Sequence, residues 1–225
     1  MKESFLMLHI QSFVFNPFQE NTFVLFDETR ECVIIDPGCS DEAEKIQLKT
    51  FIDHQKLKVK LLLNTHCHID HVLGNQFVKD TYKVNLLIHR TEQSILKAVE
   101  VYAPSYGFHL YHHQPADAFL EEGDIIKIGN QTFVVLFVPG HSPGHVAFYS
   151  EKNQILIGGD VLFYNSIGRT DLPGGNHDLL IASIHTKLFT LPDNVRVYPG
   201  HGPETTIGFE KKTNPFCAVN SIDIE

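Results

Sequence analysis

The stretch Thr65-His66-Cys67-His68-Ile69-Asp70-His71 is the most informative part of this sequence. Four of its seven side chains, three imidazoles and one carboxylate, are of the types that commonly bind metals. The stretch follows a short apolar segment at 60–64, which is predicted to be a buried strand. Because residues two apart in an extended chain share a side, His66 and His68 are expected to point the same way.

A helix is predicted directly after this stretch, over 72–81. The turn that leads into the helix would aim Asp70 and His71 in a different direction from the first two histidines. One short loop is therefore predicted to present two separate sets of metal ligands, an arrangement that packing alone explains poorly.

Three later positions share one local context, a ligand-type side chain beside glycine at the end of a predicted strand. They are His141 in Val138-Pro139-Gly140-His141, Asp160 in Gly158-Gly159-Asp160 and His201 in Tyr198-Pro199-Gly200-His201. Glycine allows the backbone to turn sharply and to approach other groups closely. Since loops at strand ends carry functional side chains on a rigid scaffold, all three are expected to join the first cluster.

These seven side chains divide into two predicted metal sites. One ion is expected on His66, His68 and His141, the other on Asp70, His71 and His201, and Asp160 is expected to bridge them. Imidazole and carboxylate ligands accept zinc, iron or manganese, and two zinc ions are the first expectation. A non-catalytic module is disfavoured, because a structural site closes one metal with four ligands.

The composition is that of an acidic globular chain with many histidines. The 225 residues are 43% hydrophobic, 14 of them are histidine, and the formal net charge is −9. That charge disfavours a nucleic-acid partner, and no apolar stretch approaches the roughly 18 residues that a membrane span needs. The four cysteines form no C-x-x-C pair and no secretory signal is evident, which favours reduced thiols in the cytoplasm. The oligomeric state is left open.

The order of predicted elements is strands followed by helices, twice. In the first half, strands are predicted at 5–15, 22–26, 32–35, 60–64 and 84–88, with helices at 72–81, at 92–102 and from a capping box at Asp41 and Glu44 to about His54. An irregular stretch at 103–118 precedes strands at 125–128, 132–138, 146–149, 155–157 and 195–198 and a helix at 179–188 capped by Asp178. This pattern predicts an α/β fold of two packed sheets with helices outside, in a single domain over 1–225.

The histidine-rich stretch resembles the H-x-H-x-D-H signature of the metallo-β-lactamase superfamily. His141, Asp160 and His201 match the remaining ligands of that superfamily in order. The resemblance extends from about Asn21 to Phe216, and it implies an αββα sandwich with two mixed sheets, helices on the outer faces and metals at the edge of the sheets. β-Lactamases of this fold carry cysteine at the position of Asp160, so the resemblance disfavours antibiotic hydrolysis.

Within the superfamily the chain is similar to glyoxalase II, a hydroxyacylglutathione hydrolase. The similar stretches are 139–145, 159–163, 166–171 and 198–202. Few residues follow His201, so the chain resembles short relatives without the separate C-terminal helical domain that binds glutathione. Arg169 stands where the family has a basic residue that contacts glutathione, although a structural loop arginine is an equal interpretation. Asp171 stands where the family has tyrosine, which weakens the expectation that glutathione is recognised.

The expected reaction is hydrolysis of a small-molecule thioester. Two metal ions would lower the pKa of a shared water toward neutrality, and that water would attack the thioester carbonyl. Asp70 and Asp160 are the candidate catalytic residues among the ligands. A thiol leaves as thiolate without a strong acid, whereas an amide nitrogen must be protonated, so this site favours thioesters.

The main alternative is a persulfide dioxygenase of the same fold with a single iron. In that branch two histidines and one aspartate hold the iron, which here would be His66, His141 and Asp160. The identity and number of bound metals would separate the two functions, because one tightly bound iron supports the dioxygenase.

Other side chains near the motifs have smaller expected roles. Cys67 should point away from His66 and His68, so it is rejected as a nucleophile. His145 is expected behind the ligands or in a structural role. The histidines at 109, 112 and 113 are best explained as part of a solvated loop, although they could shape a substrate mouth.

Overall fold

The computed structural model describes residues 7–219 and contains two six-stranded sheets. In the first sheet the strands lie side by side in chain order: β1 (His9–Phe15), β2 (Glu20–Phe26), β3 (Glu31–Ile35), β4 (Lys58–Leu63), β5 (Leu86–His89) and β6 (Ala118–Leu120). Strands β1 to β3 pair antiparallel and β3 to β6 pair parallel, so this sheet is mixed, as the resemblance implied.

The second sheet is also mixed. Its strands are β7 (Ile125–Ile128), β8 (Gln131–Phe137), β9 (Val146–Ser150), β10 (Ile155–Gly159), β13 (Arg196–Pro199) and β14 (Thr205–Thr206). Their spatial order is β14-β13-β10-β9-β8-β7, and among the described residues only the pair β10 and β13 is parallel. A small hairpin of β11 (Leu162–Phe163) and β12 (Ser166–Ile167) lies beside this sheet.

Helices cover both outer faces. They are α1 (Glu42–His54), α2 (Ile69–Val72), α3 (Asn75–Tyr82), α4 (Gln93–Tyr102), α5 (His177–Ser183) and α6 (Ile207–Thr213). Helix α5 continues into a π-helical turn at Ile184–Leu188, and short 3-10 turns flank α4 at Arg90–Glu92 and Ala103–Tyr106. Within residues 7–219, no helix combines the length and apolar character that crossing a bilayer would require.

Alternation along the strands produces three hydrophobic cores. In β3, Val33 and Ile35 pack between the two sheets, while Cys32 and Ile34 pack against the helices of the first sheet. This follows from the twofold period of a strand, whose side chains alternate between faces. Leu156, in β10, belongs to a third core between the second sheet and its helices. The layers are therefore helix, sheet, sheet, helix, which confirms the predicted sandwich.

The prediction of one continuous helix over 72–81 is wrong. The chain forms two helices in this region, α2 and α3, with a break at Gly74. The backbone N–H of Gly74 donates to the carbonyl of Pro37 at 2.7 Å. A Cβ at this position would lie 2.5 Å from the sulfur of Cys39. The interruption is thus caused by a tertiary contact with a loop far away in sequence.

Two caps and one strand also differ in detail from the predictions. Asp41 caps α1 as predicted, but Glu44 accepts from the backbone N–H groups of Asn16 and Ser40 and does not close a capping box. Asp178 is not the cap of α5, because Asn176 accepts from the backbone there. Strand β6 was not predicted, and the first residues of the strand predicted at 5–15 lie outside the described residues.

Candidate metal centre

Four of the seven predicted ligands come from the loop that follows β4. His66 lies in the loop itself and is fully buried, and His68 occupies the N-cap of the short helix α2. Asp70 and His71 lie within α2, so the helical turn re-aims them relative to the two earlier histidines, as predicted. One loop of the first sheet thus presents its candidate ligands in two different directions.

The other three predicted ligands come from the second sheet. His141, Asp160 and His201 follow the ends of β8, β10 and β13. Glycine permits close approach here, because a Cβ on Gly140 would lie 2.3 Å from the backbone of Leu180. Backbone pairing joins the two sheets at this edge, where the N–H of Asn21 donates to the carbonyl of Gly200 at 2.7 Å.

The ligand atoms gather into the two predicted sets. In the first set, Nε2 of His141 lies 2.8 Å from Nδ1 of His68 and 3.2 Å from Nε2 of His66. In the second set, Oδ2 of Asp70 lies 3.0 Å from Nε2 of His201 and 3.6 Å from Nε2 of His71. Within each set all three ligand atoms lie within 4.8 Å of one another, which is the spacing of side chains that share an ion.

Asp160 lies between these two sets. Its Oδ2 is 3.6 Å from Nε2 of His141 and 3.5 Å from Nε2 of His201. Its Oδ1 is 3.5 Å from Nε2 of His71. One carboxylate therefore reaches members of both sets, which is the position predicted for a bridging ligand.

Unpartnered polar atoms show that the site suits metal ions. Nε2 of His71 and Oδ1 of Asp160 are buried without a hydrogen-bond partner, an arrangement that costs free energy unless another group satisfies them. Space is also reserved there, because a Cβ on Gly200 would lie 2.1 Å from Oδ1 of Asp160. The residues present therefore fit two metal ions.

Oxygen atoms behind the histidines set the direction of four rings. Each of these rings has Nδ1 close to an oxygen and Nε2 toward the site: Thr65 Oγ1 is 3.0 Å from His66, Asp36 Oδ2 is 3.2 Å from His71, the Arg169 carbonyl is 2.8 Å from His141, and the Phe18 carbonyl is 3.1 Å from His201. A hydrogen bond at one ring nitrogen selects the tautomer that offers the other to a metal.

Asp36 and Glu20 are two buried carboxylates that the sequence analysis missed. Asp36 accepts from the backbone and hydroxyl of Thr65, at 2.7 and 2.6 Å, besides its contact with His71. Glu20 accepts from Thr22, but its Oε1 has no partner and lies 4.0 Å from Nδ1 of His71. Asp36 has a detectable signal, because it ends a strand before Pro37-Gly38 much as Asp160 follows Gly158-Gly159.

Glu92 is a third missed carboxylate, and it joins the two ligand loops. It accepts from the backbone N–H of Cys67 at 2.8 Å, on the first loop. On the loop of His141 it accepts from the hydroxyl of Ser142 at 2.5 Å and from the N–H of Gly144 at 2.7 Å. Burial raises the pKa of Glu92 from its usual value, while these three donors oppose that shift.

The two sets differ in their electrostatics. Burial and the neighbouring His141 lower the pKa of His68 to about 3, and burial places the pKa of His66 well below its usual value. At His71 burial also favours the neutral ring, but Asp70 and Asp160 outweigh it and raise the pKa well above normal. The first set is therefore neutral and ready to bind, whereas a proton competes with a metal ion in the second.

The remaining candidates lie around this centre. His145 accepts from the backbone N–H of Asp160 at 2.9 Å, which places it behind the ligands as expected. Cys67 is fully buried and its thiol pKa is raised well above the usual value by that burial, which agrees with its rejection as a nucleophile. Arg169 is exposed and pairs with Asp171.

The histidine-rich loop lies elsewhere. His109 and His112 are exposed and help to line a cavity of about 660 Å³ between this loop, α1 and α3. Of the seven predicted ligands, none lines that cavity. The loop is thus part of a separate depression in the described structure.

Known proteins share both the fold and much of the sequence. Residues 15–201 match the family described as the metallo-beta-lactamase superfamily. Hydroxyacylglutathione hydrolase GloC of Haemophilus influenzae is 36% identical over 216 residues, covering 95% of this chain and 100% of that protein. The crystal structure of BLEG-1 B3 metallo-beta-lactamase is 39% identical with a TM-score of 0.85, covering 94% of this chain and 100% of that chain.

A second solved structure carries metals. The crystal structure of TTHA1623 in a di-iron-bound form is 36% identical with a TM-score of 0.81, covering 92% of this chain and 99% of that chain. The family match spans the whole segment from β1 to the last predicted ligand, and these relatives are matched over nearly their full length. The chain therefore belongs to the metallo-beta-lactamase superfamily and is a metal-binding hydrolase of that fold.

Proposed function

We propose that this protein hydrolyses acyl thioesters, with hydroxyacylglutathione as the first candidate class, and that the seven side chains hold two divalent metal ions. The observation that supports this most directly is the position of Asp160. Its carboxylate oxygens lie within 3.6 Å of nitrogens from both ligand sets, His141 in the first and His71 and His201 in the second. Such a bridge is the arrangement that a two-metal hydrolase needs.

Bound in these positions, two divalent ions would lower the pKa of a shared water and polarise the carbonyl of the substrate. Asp160 would set the distance between the two positions. Asp70 and His201 form the open side of the site, because their side chains are 13% and 27% exposed while His71 is fully buried. A substrate carbonyl would therefore approach from the side of Asp70 and His201.

The nature of the leaving group favours a thioester. A thiol with a pKa near 8.5 leaves as thiolate, whereas an amine must receive a proton. His145, the imidazole behind Asp160, is poorly suited as an acid because its Nε2 already accepts from the backbone of Asp160. Burial also holds the pKa of His145 well below its usual value, which disfavours the imidazolium form that would act as an acid.

The relatives support this proposal and bear on the metal. GloC is named a hydroxyacylglutathione hydrolase and is similar over its whole length. Zinc suits the imidazole-rich donor set, and the di-iron form of TTHA1623 makes iron the first alternative metal. The four cysteines are buried free thiols, which accords with a reducing cytoplasm.

Hydrolysis of β-lactams is a second candidate function. The specific observation in its favour is the similarity to BLEG-1, a B3 metallo-beta-lactamase. A β-lactam nitrogen needs a proton when the ring opens, and this is the step for which the site offers no acid besides the candidate ligands. We therefore place it second.

One set of assays separates these functions. The purified protein is loaded with zinc or iron, its metal content is measured, and release of thiol from S-D-lactoylglutathione is followed. Turnover that a chelator abolishes and added metal restores supports the proposal. Turnover of a chromogenic cephalosporin but of no thioester would support the second candidate. Oxygen consumption with glutathione persulfide and a single bound iron would instead support a dioxygenase.

A further inference from the structure

Arg169 and Asp171 form a two-point ion pair. Nε of Arg169 donates to Oδ1 of Asp171 at 2.7 Å, and a terminal NH2 group donates to Oδ2 at 2.7 Å. The two side chains are 62% and 68% exposed, so solvent and small molecules can reach them. A guanidinium binds a carboxylate in this fork geometry, and here Asp171 occupies one of the two forks of Arg169.

The pair lies at the edge of the candidate metal centre. The backbone carbonyl of Arg169 accepts from Nδ1 of His141 at 2.8 Å, which ties this loop to a predicted ligand. The preceding residue is equally close, because a Cβ on Gly168 would lie 2.0 Å from the carbonyl oxygen of Asp160. The loop that carries this pair therefore borders the candidate metal centre.

Exposed aromatic rings lie on the His201 side of the candidate site. Phe18, whose carbonyl lies 3.1 Å from Nδ1 of His201, packs against Tyr106 with ring centroids 5.9 Å apart and against Phe108 at 6.2 Å. Tyr106 is 57% exposed. The Asp171 carboxylate raises the pKa of Arg169, and the Tyr106 phenol adds to that shift, which places Tyr106 near the pair. The edge of the candidate site thus has an aromatic side and, next to it, a side whose charges cancel.

We propose that Asp171 is a specificity-determining residue that weakens, without preventing, the binding of thioesters whose thiol portion carries a carboxylate, glutathione thioesters included. This inference rests on the proposed thioesterase function. A carboxylate on the substrate must either displace Asp171 or bind the other N–H groups of Arg169, and in both cases it lies close to the negative charge of Asp171. A neutral thiol portion meets neither cost and can pack against the aromatic side.

The solvent exposure of Arg169 and Asp171 limits how much Asp171 can change the affinity for a substrate. Exposed ion pairs and exposed like charges each change affinities by no more than several-fold. Asp171 is therefore expected to weaken binding of anionic thioesters without abolishing it. Replacing Asp171 by Asn keeps the shape of the side chain, removes its charge and leaves Arg169 free to bind a substrate carboxylate.

The test compares two thioesters with the same acyl group, S-lactoylglutathione and S-lactoyl-N-acetylcysteamine. For Asp171→Asn, the ratio of the KM for the anionic thioester to the KM for the neutral one should fall about five- to tenfold. This gain should be largely lost in the Arg169→Gln background. Glu151→Gln removes an exposed carboxylate at the opposite ends of β9 and β10 and should leave the ratio unchanged.

Binding of glutathione itself, measured by calorimetry on the metal-loaded protein, distinguishes failure of the proposed function from failure of the role of Asp171. If neither thioester is hydrolysed but Asp171→Asn binds glutathione several-fold more tightly than the unaltered protein, the proposed function fails and the role of Asp171 stands. If thioesters are hydrolysed and neither the KM ratio nor glutathione affinity changes in Asp171→Asn, the role of Asp171 is refuted. An equal gain in the Arg169→Gln background would also overturn it.

Discussion

His71 and Asp36 share a contact that determines which nitrogen of the imidazole faces the site. Nδ1 of His71 lies 3.2 Å from Oδ2 of Asp36, and Nε2 lies 3.5 Å from Oδ1 of Asp160. Asp36→Asn should weaken metal binding at the set containing His71 by about 10- to 100-fold. The neutral amide oxygen is a weaker hydrogen-bond acceptor for Nδ1–H of His71 than the carboxylate it replaces. Competition with a chromophoric chelator measures this affinity.

A matched control exists at the other end of β2. Asp27 is also a buried carboxylate and accepts from the backbone of Thr29 and Asn130, at the end of the strand remote from Glu20 and the metal centre. Asp27→Asn should change the stability of the fold without changing metal affinity. Equal metal affinities in Asp36→Asn and the unaltered protein would contradict the role assigned to Asp36.

Asp160→Ala should reduce metal content and turnover more than the loss of any residue that lies behind the candidate ligands, such as Asp36. It removes the carboxylate that lies between the two sets, so the protein should lose one or both metals or their spacing. Turnover should fall by more than the roughly 100-fold that is typical when a residue hydrogen-bonded to a metal ligand is lost. Elemental analysis together with thioester assays measures both. Two tightly bound metals with undiminished turnover would show that the bridge is not needed.

Cys67→Ala should leave metal content and turnover nearly intact. The thiol is fully buried in the core beneath the helices, and its side chain takes no part in either ligand set. The expected cost is about 1 kcal/mol of folding free energy, measured by denaturant unfolding. If turnover were abolished while both metals remained bound, the thiol would have to be reconsidered as a nucleophile.

Metal binding should release protons at neutral pH. Burial opposes charge on His71, but Asp70 and Asp160 raise its pKa well above normal, so the metal-free ring is protonated. A metal ion needs the neutral ring, and its affinity should therefore rise with pH until the pH passes that raised pKa. His68, with a pKa of about 3, contributes no proton in this range. Calorimetry in buffers of different ionisation enthalpy counts the protons, and zero release at pH 7 would be inconsistent with this account.

The convergence of the seven candidate ligands was predictable because each position depends on local sequence. His66, His68, Asp70 and His71 lie within one turn, and the three later ligands follow strands beside glycine. The carboxylates that hydrogen-bond to the candidate ligands and their loops were not predictable, because Asp36 and Glu92 reach the site from other elements through buried hydrogen bonds. Periodicity likewise could not reveal the break at Gly74, whose cause is a contact with Pro37.

The parts of the fold that could be predicted are likewise those that depend on local sequence. The sandwich follows from alternation in strands such as β3, where both faces are apolar and both must be covered. Strand β6 has only three residues and pairs at one edge of its sheet, so its own residues provide too short a pattern. Asn176 and Asp178 are both capping types, and only the backbone conformation selects Asn176.

The two ligand sets each draw on both sheets, and this has a consequence for biosynthesis. While the chain is still emerging from the ribosome, the loop at 65–71 offers only part of each set, because His141 and His201 have not yet been made. The first position would need synthesis to pass residue 160 and the second would need it to pass residue 201, and both would need the second sheet to close on the first. If these side chains hold metal ions, acquisition of the metal would thus be a late event in the synthesis of the protein.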